Sequence, residues 1–417
     1  MMRNFIFLIV SCLFVFSCST SNGVSSGYDN NIGVMMHPNF SVYHNTENTS
    51  TVYFQLSTDE VLYTRNSREN PFQAALKLHF RAYKSKGKDI LDSGTLYIND
   101  AYSSIKNKSI DTSFSFNFQI NNVGYLKIFL SDLNRSRNIE KQLTIDKLNI
   151  ANQQFFKITD STGNQFLNKH YYSDQKIYIS SIFHANQPIY ALRNNTTFPL
   201  PTPPFSKSDQ PTFAKKTAFA QQLHFNKQNK IEYVFPKKGF VYFQSDTLTN
   251  NGFALFSFNK SYPDIKQASE LVSPLRYLST REEYRKLTSN NDSKKAVDEF
   301  WLTKVTSKER ARTLIRTYYS RVELANELFT SYIEGWKTDR GLISIIFGPP
   351  NYVRKNKNSE MWIYGNENNT NTIKFTFDKV INPFSENDYV LKRNYAYKSP
   401  WYRAVETWRS GKVYWVQ

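Results

Sequence analysis

The chain is short of the residues that carry thiol, metal and histidine chemistry. Its 417 residues include only two cysteines, Cys12 and Cys18. Cys12 lies inside an apolar run, Phe5 to Phe16, that follows Arg3. The run is too short to span a bilayer comfortably and reads as the core of an export leader at residues 1–17. With that leader removed and Cys18 at the new N-terminus, a disulfide, a catalytic thiol and a thiolate metal site are all excluded. All six histidines lie between His37 and His224, with no His-x-x-x-His or Glu-x-x-His pair. By position they exclude a histidine base or metal site in the last third of the chain. Glycine (14) and proline (15) are scarce, which excludes low-complexity architectures. No nucleophile elbow and no phosphate-binding glycine loop is read.

What the chain has is aromatic bulk and positive charge. Aromatics make up 16% of it, with 33 Phe and 27 Tyr, enough for sizeable cores. The net charge is +18, spread as +8 on residues 264–417 and +10 on the rest, so it reads as a diffusely basic, solvated surface. For an exported chain the relevant anions are acidic glycans and lipid headgroups, not nucleic acid.

Val15-Phe16-Ser17-Cys18 resembles a bacterial lipobox, with the large Phe16 as a departure. The resemblance implies lipidation at Cys18 and an outer-membrane anchor. Ser19 to Gly23 lacks the acidic run that resembles a surface-export signal, so the expected orientation is toward the periplasm. Several acyl chains on one terminus anchor stably where one would not.

Residues 18–40, rich in Ser, Asn and Gly, read as a flexible tether. Residues 41–150 read as strands only: Thr51 to Ser57, Phe72 to Tyr83, Ser113 to Ile120, Tyr125 to Leu130 and Asn138 to Ile145. In the third, Phe114, Phe116, Phe118 and Ile120 alternate with polar residues, the pattern of a half-buried strand. Residues 151–262 continue with Ile177 to Phe183, Phe213 to Phe225, Ile231 to Phe235, Phe240 to Gln244 and Phe253 to Phe258. The proline-rich stretch Pro199 to Pro204 interrupts them as an extended loop. Two β-sandwich domains of immunoglobulin-like architecture are expected.

Near residue 263 the period changes to that of helices. Thr280-Arg-Glu-Glu283 is a capping box, and Asn291-Asp-Ser293 opens a second helix. Between Ser307 and Phe329, apolar residues from Ala311 to Phe329 recur at spacings of three and four. Arg310, Arg312, Arg316 and Arg321 are expected on the solvated face. Then come Gly335-Trp336-Lys337-Thr338-Asp339-Arg340-Gly341, the apolar run Leu342 to Phe347, read as a strand, and Gly348-Pro349-Pro350 as a stop. Gly335 and Gly341 are expected to supply positive φ. A hairpin, Glu360 to Tyr364 with Thr372 to Phe377, a strand at Tyr389 to Lys392 and an aromatic tail, Trp401 to Trp408, follow. Residues 263–417 are thus expected to form an α+β domain, helices on a small antiparallel sheet.

Gly335 to Asp339 resembles the signature of the GWxTD-domain proteins of Bacteroidota. Pro274-Leu-Arg-Tyr277, Phe300-Trp301, Trp362-Ile-Tyr364 and Phe375-Thr-Phe377 extend the resemblance over residues 264–417. The last part also resembles small lipoproteins of the β-barrel assembly machinery. The resemblance brings no reaction and no cofactor with it. Two functions are expected to compete. One is a non-enzymatic envelope scaffold, docking a protein partner or an envelope polymer. The other is a glycan-active enzyme using Asp339 and a second carboxylate. In the first, Asp339 and Thr338 accept backbone amides in a tight turn while Trp336 plugs the core.

Overall fold

The computed structural model describes residues 24–27, 36–85, 89–105, 108–168, 170–184, 187–194, 197–207, 219–235, 239–305, 307–366 and 372–415. The leader and Cys18 lie outside them, as does much of the expected strand Phe213 to Phe225. The chain is mainly β, with several antiparallel sheets and a few helices. No helix among the described residues is long and apolar enough to cross a membrane.

The expected tether is not wholly unstructured. Within it Val24–Gly27 form a strand, β1, that joins a sheet at the far end of the sequence. The first unit then begins. β2 (Asn39–His44), β3 (Thr49–Ser57) and β6 (Ser109–Asn117) form one sheet. β4 (Gln73–Lys84), β5 (Ile90–Ala101), β7 (Val123–Asp132) and β8 (Arg137–Asp146) form another, ordered β5-β4-β7-β8. The two sheets share one core, which takes Val52 and Phe54 from β3, Leu76 and Leu78 from β4, Phe114 and Phe116 from β6, and Leu126 and Ile128 from β7. Period-two alternation puts these residues on one face of each strand.

The second unit pairs β9 (Lys157–Thr159), β11 (Lys176–Ser180) and β14 (Lys230–Val234) in one sheet. The other contains β10 (His170–Tyr172), β12 (Ile189–Asn194), β13 (Phe219–Leu223), β15 (Gly239–Gln244) and β16 (Phe253–Phe258), ordered β10-β16-β15-β12-β13. β10 runs parallel to β16, an exception to the antiparallel rule. One face of this sheet packs on the smaller sheet through Ile189, Val241, Phe243 and Leu255. Its other face, with Phe240, Tyr242, Phe256 and Phe258, packs against Tyr332 and Phe384 of the third unit. β15 and β16 are buried on both faces, which is why they read as continuous apolar runs.

The third unit holds the helices. These are α1 (Ala268–Val272), α2 (Arg281–Ser289), α3 (Ser293–Leu302), α4 (Lys308–Phe329), α5 (Asp339–Phe347) and α6 (Lys398–Arg409). They pack with a sheet of β17 (Tyr352–Lys355), β18 (Ser359–Tyr364), β19 (Ile373–Lys379) and β20 (Tyr389–Leu391), whose outer edge is β1. The Thr280 capping box forms as expected, and Glu283 also receives Arg409 of α6 at 2.7 Å.

Two expectations are corrected here. Leu342 to Phe347 is helix, not strand: it is the body of α5, every residue of which is buried. A segment buried all round has no polar face to mark its period, so six residues, five of them apolar, fit either structure. Arg321 is not on a solvated face. It is buried under α5, donating to the Ile345 carbonyl at 3.1 Å and the Tyr414 carbonyl at 3.0 Å, with its guanidinium over Trp408. A cation at the carbonyl end of α5 meets that helix's negative pole. Burial lowers its pKa to about 10, and its charge is held by carbonyls and aromatic faces.

Candidate functional site

The signature is the junction between α4 and α5. Gly335–Lys337 form a single 3-10 turn laid directly on α4. A Cβ at Gly335 would stand 1.9 Å from the Ala325 carbonyl oxygen, and one at Gly341 would stand 2.1 Å from the Gly335 oxygen. Neither glycine has positive φ; that geometry belongs to Gly348, at +83°, which ends α5. The expected reason for Gly335 and Gly341 is therefore corrected: they let three backbone segments touch. Pro349 and Pro350 follow Gly348 and stop a helix rather than a strand.

The side chains between the glycines close the junction. Trp336 is buried, and its ring meets Tyr277 edge-on at 5.9 Å. Its amide N–H donates to Asn326 Oδ1 at 3.1 Å, and its carbonyl accepts the Tyr277 hydroxyl at 2.8 Å. Thr338 caps α5: its hydroxyl accepts the Gly341 N–H at 3.0 Å and donates to the Gly335 carbonyl at 2.8 Å. Arg340 is buried between the rings of Phe329 and Tyr389 and pairs with Glu360 at 3.3 Å. Burial works against the Glu360 charge, but Arg340 and Lys355 outweigh it and lower its pKa.

Asp339 points away from this turn. Its Oδ1 accepts Arg393 Nη2 at 2.6 Å, and its Oδ2 accepts Arg393 Nη1 at 2.9 Å and the Leu391 amide at 2.8 Å. Arg393 reaches on to the Thr202 hydroxyl and carbonyl at 3.2 and 3.1 Å. One carboxylate therefore ties together α5, β20 and the proline-rich loop. The amide that Asp339 accepts belongs to β20 and not, as expected, to its own turn, and the larger partner is a guanidinium 54 positions downstream.

A second carboxylate lies in the same region. Asp388 is buried, accepts Asn382 Nδ2 at 2.8 Å, and has its pKa raised to about 6. Burial is the main cause; the Arg340 charge opposes it and the Asp339 charge adds to it. Neither carboxylate lines either of two cavities in the fold. One, about 480 Å³, lies under the proline-rich loop among Leu200, Phe205, Tyr277, Leu342, Trp401 and Tyr402. The buried Ser279 hydroxyl, also in its wall, has no hydrogen-bond partner among the described residues. The other, about 470 Å³, lies among Phe40, Gln142, Tyr242 and Asn382.

Three further residues were invisible as a group in the sequence. His37, Glu60 and Glu327 converge although their chain positions are far apart, so a histidine does reach α4. Gly23-Val-Ser25-Ser-Gly27 spells the nucleophile-elbow pattern after all. Ser25, however, lies within the extended strand β1, paired with Arg354 of β17, and not on a strand-to-helix turn.

Comparison with known proteins agrees with the position of the signature. A GWxTD domain is found at residues 239–410. It begins at β15, the start of the hairpin whose outer face packs against Tyr332 and Phe384. No curated protein matches the chain in sequence. Among solved structures, Bacteroides uniformis beta-glucuronidase 2 covalently bound to cyclophellitol-6-carboxylate aziridine is similar at 12% identity and a TM-score of 0.18. That similarity covers 31% of this chain and 14% of the other, and carries no argument about fold or activity.

Proposed function

We propose that the chain is a non-enzymatic lipoprotein of the bacterial outer membrane, facing the periplasm, and that its C-terminal domain docks an envelope protein partner. The two β units, read as sandwiches, serve as spacers between the lipid at Cys18 and that domain. The observation that carries the reading is the state of Asp339. Both its oxygens are engaged, one by Arg393 and the other by Arg393 and the Leu391 amide. A nucleophile or general acid needs a free oxygen facing substrate, whereas this one holds a loop.

The loop it holds roofs the cavity beside the signature, whose apolar wall and unpartnered Ser279 hydroxyl suit an anchoring side chain from a partner. A photo-crosslinking residue at Tyr402, half exposed at the rim, should capture one discrete protein from intact envelopes. Val405→Arg, which fills the cavity, should abolish the adduct in protein that circular dichroism shows to be folded. An adduct insensitive to Val405→Arg contradicts the docking site.

The second reading, a glycan-active enzyme with Asp339 as acid or nucleophile, is favoured by one fact. Asp388 is a neighbouring carboxylate with a raised pKa, the pairing that glycosidases use. Burial of both groups away from the cavities argues against it.

A further inference from the structure

The first unit meets α4 at a cluster drawn from three distant segments. His37 precedes β2, Glu60 ends the 3-10 turn after β3, and Glu327 is on α4. One ligand atom from each lies within 4.8 Å of the others. Two of the three are already ordered. Glu60 Oε2 accepts the His37 backbone N–H at 2.7 Å, and Glu60 Oε1 lies 3.1 Å from His37 Nδ1. Behind them the Arg135 guanidinium donates to the Glu60 carbonyl and pairs with Asp132 at 2.8 Å, which pins the turn. Glu327 closes the group from the open side. Two carboxylates thus share one imidazole.

We propose that His37, Glu60 and Glu327 bind one divalent transition-metal ion of the Zn²⁺ type and so clamp the first β unit to α4. One imidazole nitrogen with two carboxylate oxygens is a donor set that suits such an ion and leaves a position for water. At bond lengths of about 2.0–2.2 Å, tetrahedral ligand atoms stand about 3.4 Å apart. The group must therefore draw in by up to about 1.4 Å, which the exposed Glu327 side chain can supply. Glu327 follows Asn326, the residue that receives the Trp336 amide, so the ion would fix the first unit to the turn of α4 that holds the signature.

The test is calorimetric titration of the full chain with ZnCl₂, after chelator treatment and with its thiols alkylated. One ion per chain is expected, with a melting temperature that rises with Zn²⁺ concentration. Glu327→Gln, at an exposed helical position, should fold normally and weaken binding about tenfold or more. His37→Asn should abolish it. Absence of saturable binding at millimolar Zn²⁺ overturns the proposal, as does equal affinity in a folded Glu327→Gln variant. The second outcome decides the matter even if His37→Asn fails to fold.

Discussion

Asp339 and Arg393 form a two-pronged ion pair, 2.6 and 2.9 Å, that leaves each side chain about one-tenth exposed. This relationship changes what a substitution at the signature aspartate does. Were Asp339 bonded to backbone amides alone, Asp339→Asn would weaken one hydrogen bond, at about 1 kcal/mol. With a buried guanidinium as partner, the same change leaves a charge uncompensated and should cost about 3 kcal/mol or more. Arg393→Gln should cost a similar amount, and the double variant much less than the sum. Urea denaturation of the four proteins measures the coupling; additive losses would show that the pair contributes nothing of its own.

Gly335 should tolerate no side chain. The Ala325 oxygen is backbone and cannot swing aside, so Gly335→Ala must push the 3-10 turn off α4. A loss of about 3 kcal/mol is expected, at the upper end of overpacking penalties. Gly163→Ala is the control: φ there is +92°, but nothing among the described residues lies within 4 Å, so only backbone strain of about 1 kcal/mol applies. Thermal melts rank the two, and equal losses would contradict the contact argument.

Asp388 gives a pH dependence of unusual sign. Its folded pKa, about 6, lies above the ordinary value of 3.8, so the folded state holds its proton more tightly than the unfolded chain. Its contribution is most favourable below pH 3.8 and is lost as pH rises through 6. The penalty at neutral pH is roughly 2–3 kcal/mol. Asp388→Asn removes it. The variant should be more stable than the parent at pH 7.5, with the difference vanishing near pH 4. A variant destabilised at both pH values would contradict the buried-acid account.

Strands were legible where one face is buried. β4, β6 and β7 alternate because water lies on one side and core on the other. β5 was not, since it is half exposed along its length and carries no apolar stripe. β15 and β16 were legible as strands but not as a platform, because burial on both faces conceals which unit covers which. α5 was misread for the same reason. Arg321 defeats any rule that assigns charge to solvent. Within the site, the glycines, Trp336 and Thr338 were legible as a unit because they lie close together in the chain. Arg393, Thr202 and Glu327 were not, because only the fold brings them there.

The proposed membrane attachment rests on Cys18 alone. Cys18→Ser should move the protein from the sedimented outer-membrane fraction to the soluble periplasmic one. Retention of the variant on membranes washed in high salt would contradict a lipid anchor.

The scaffold reading stands or falls on Asp339→Asn, measured for stability and turnover together. At a temperature where calorimetry shows the variant fully folded, wild type and variant are each incubated with envelope glycans, and released sugar is quantified. The account predicts a lowered melting temperature and no release from either protein. Release by the wild type that disappears in the folded variant would contradict it and assign Asp339 to catalysis.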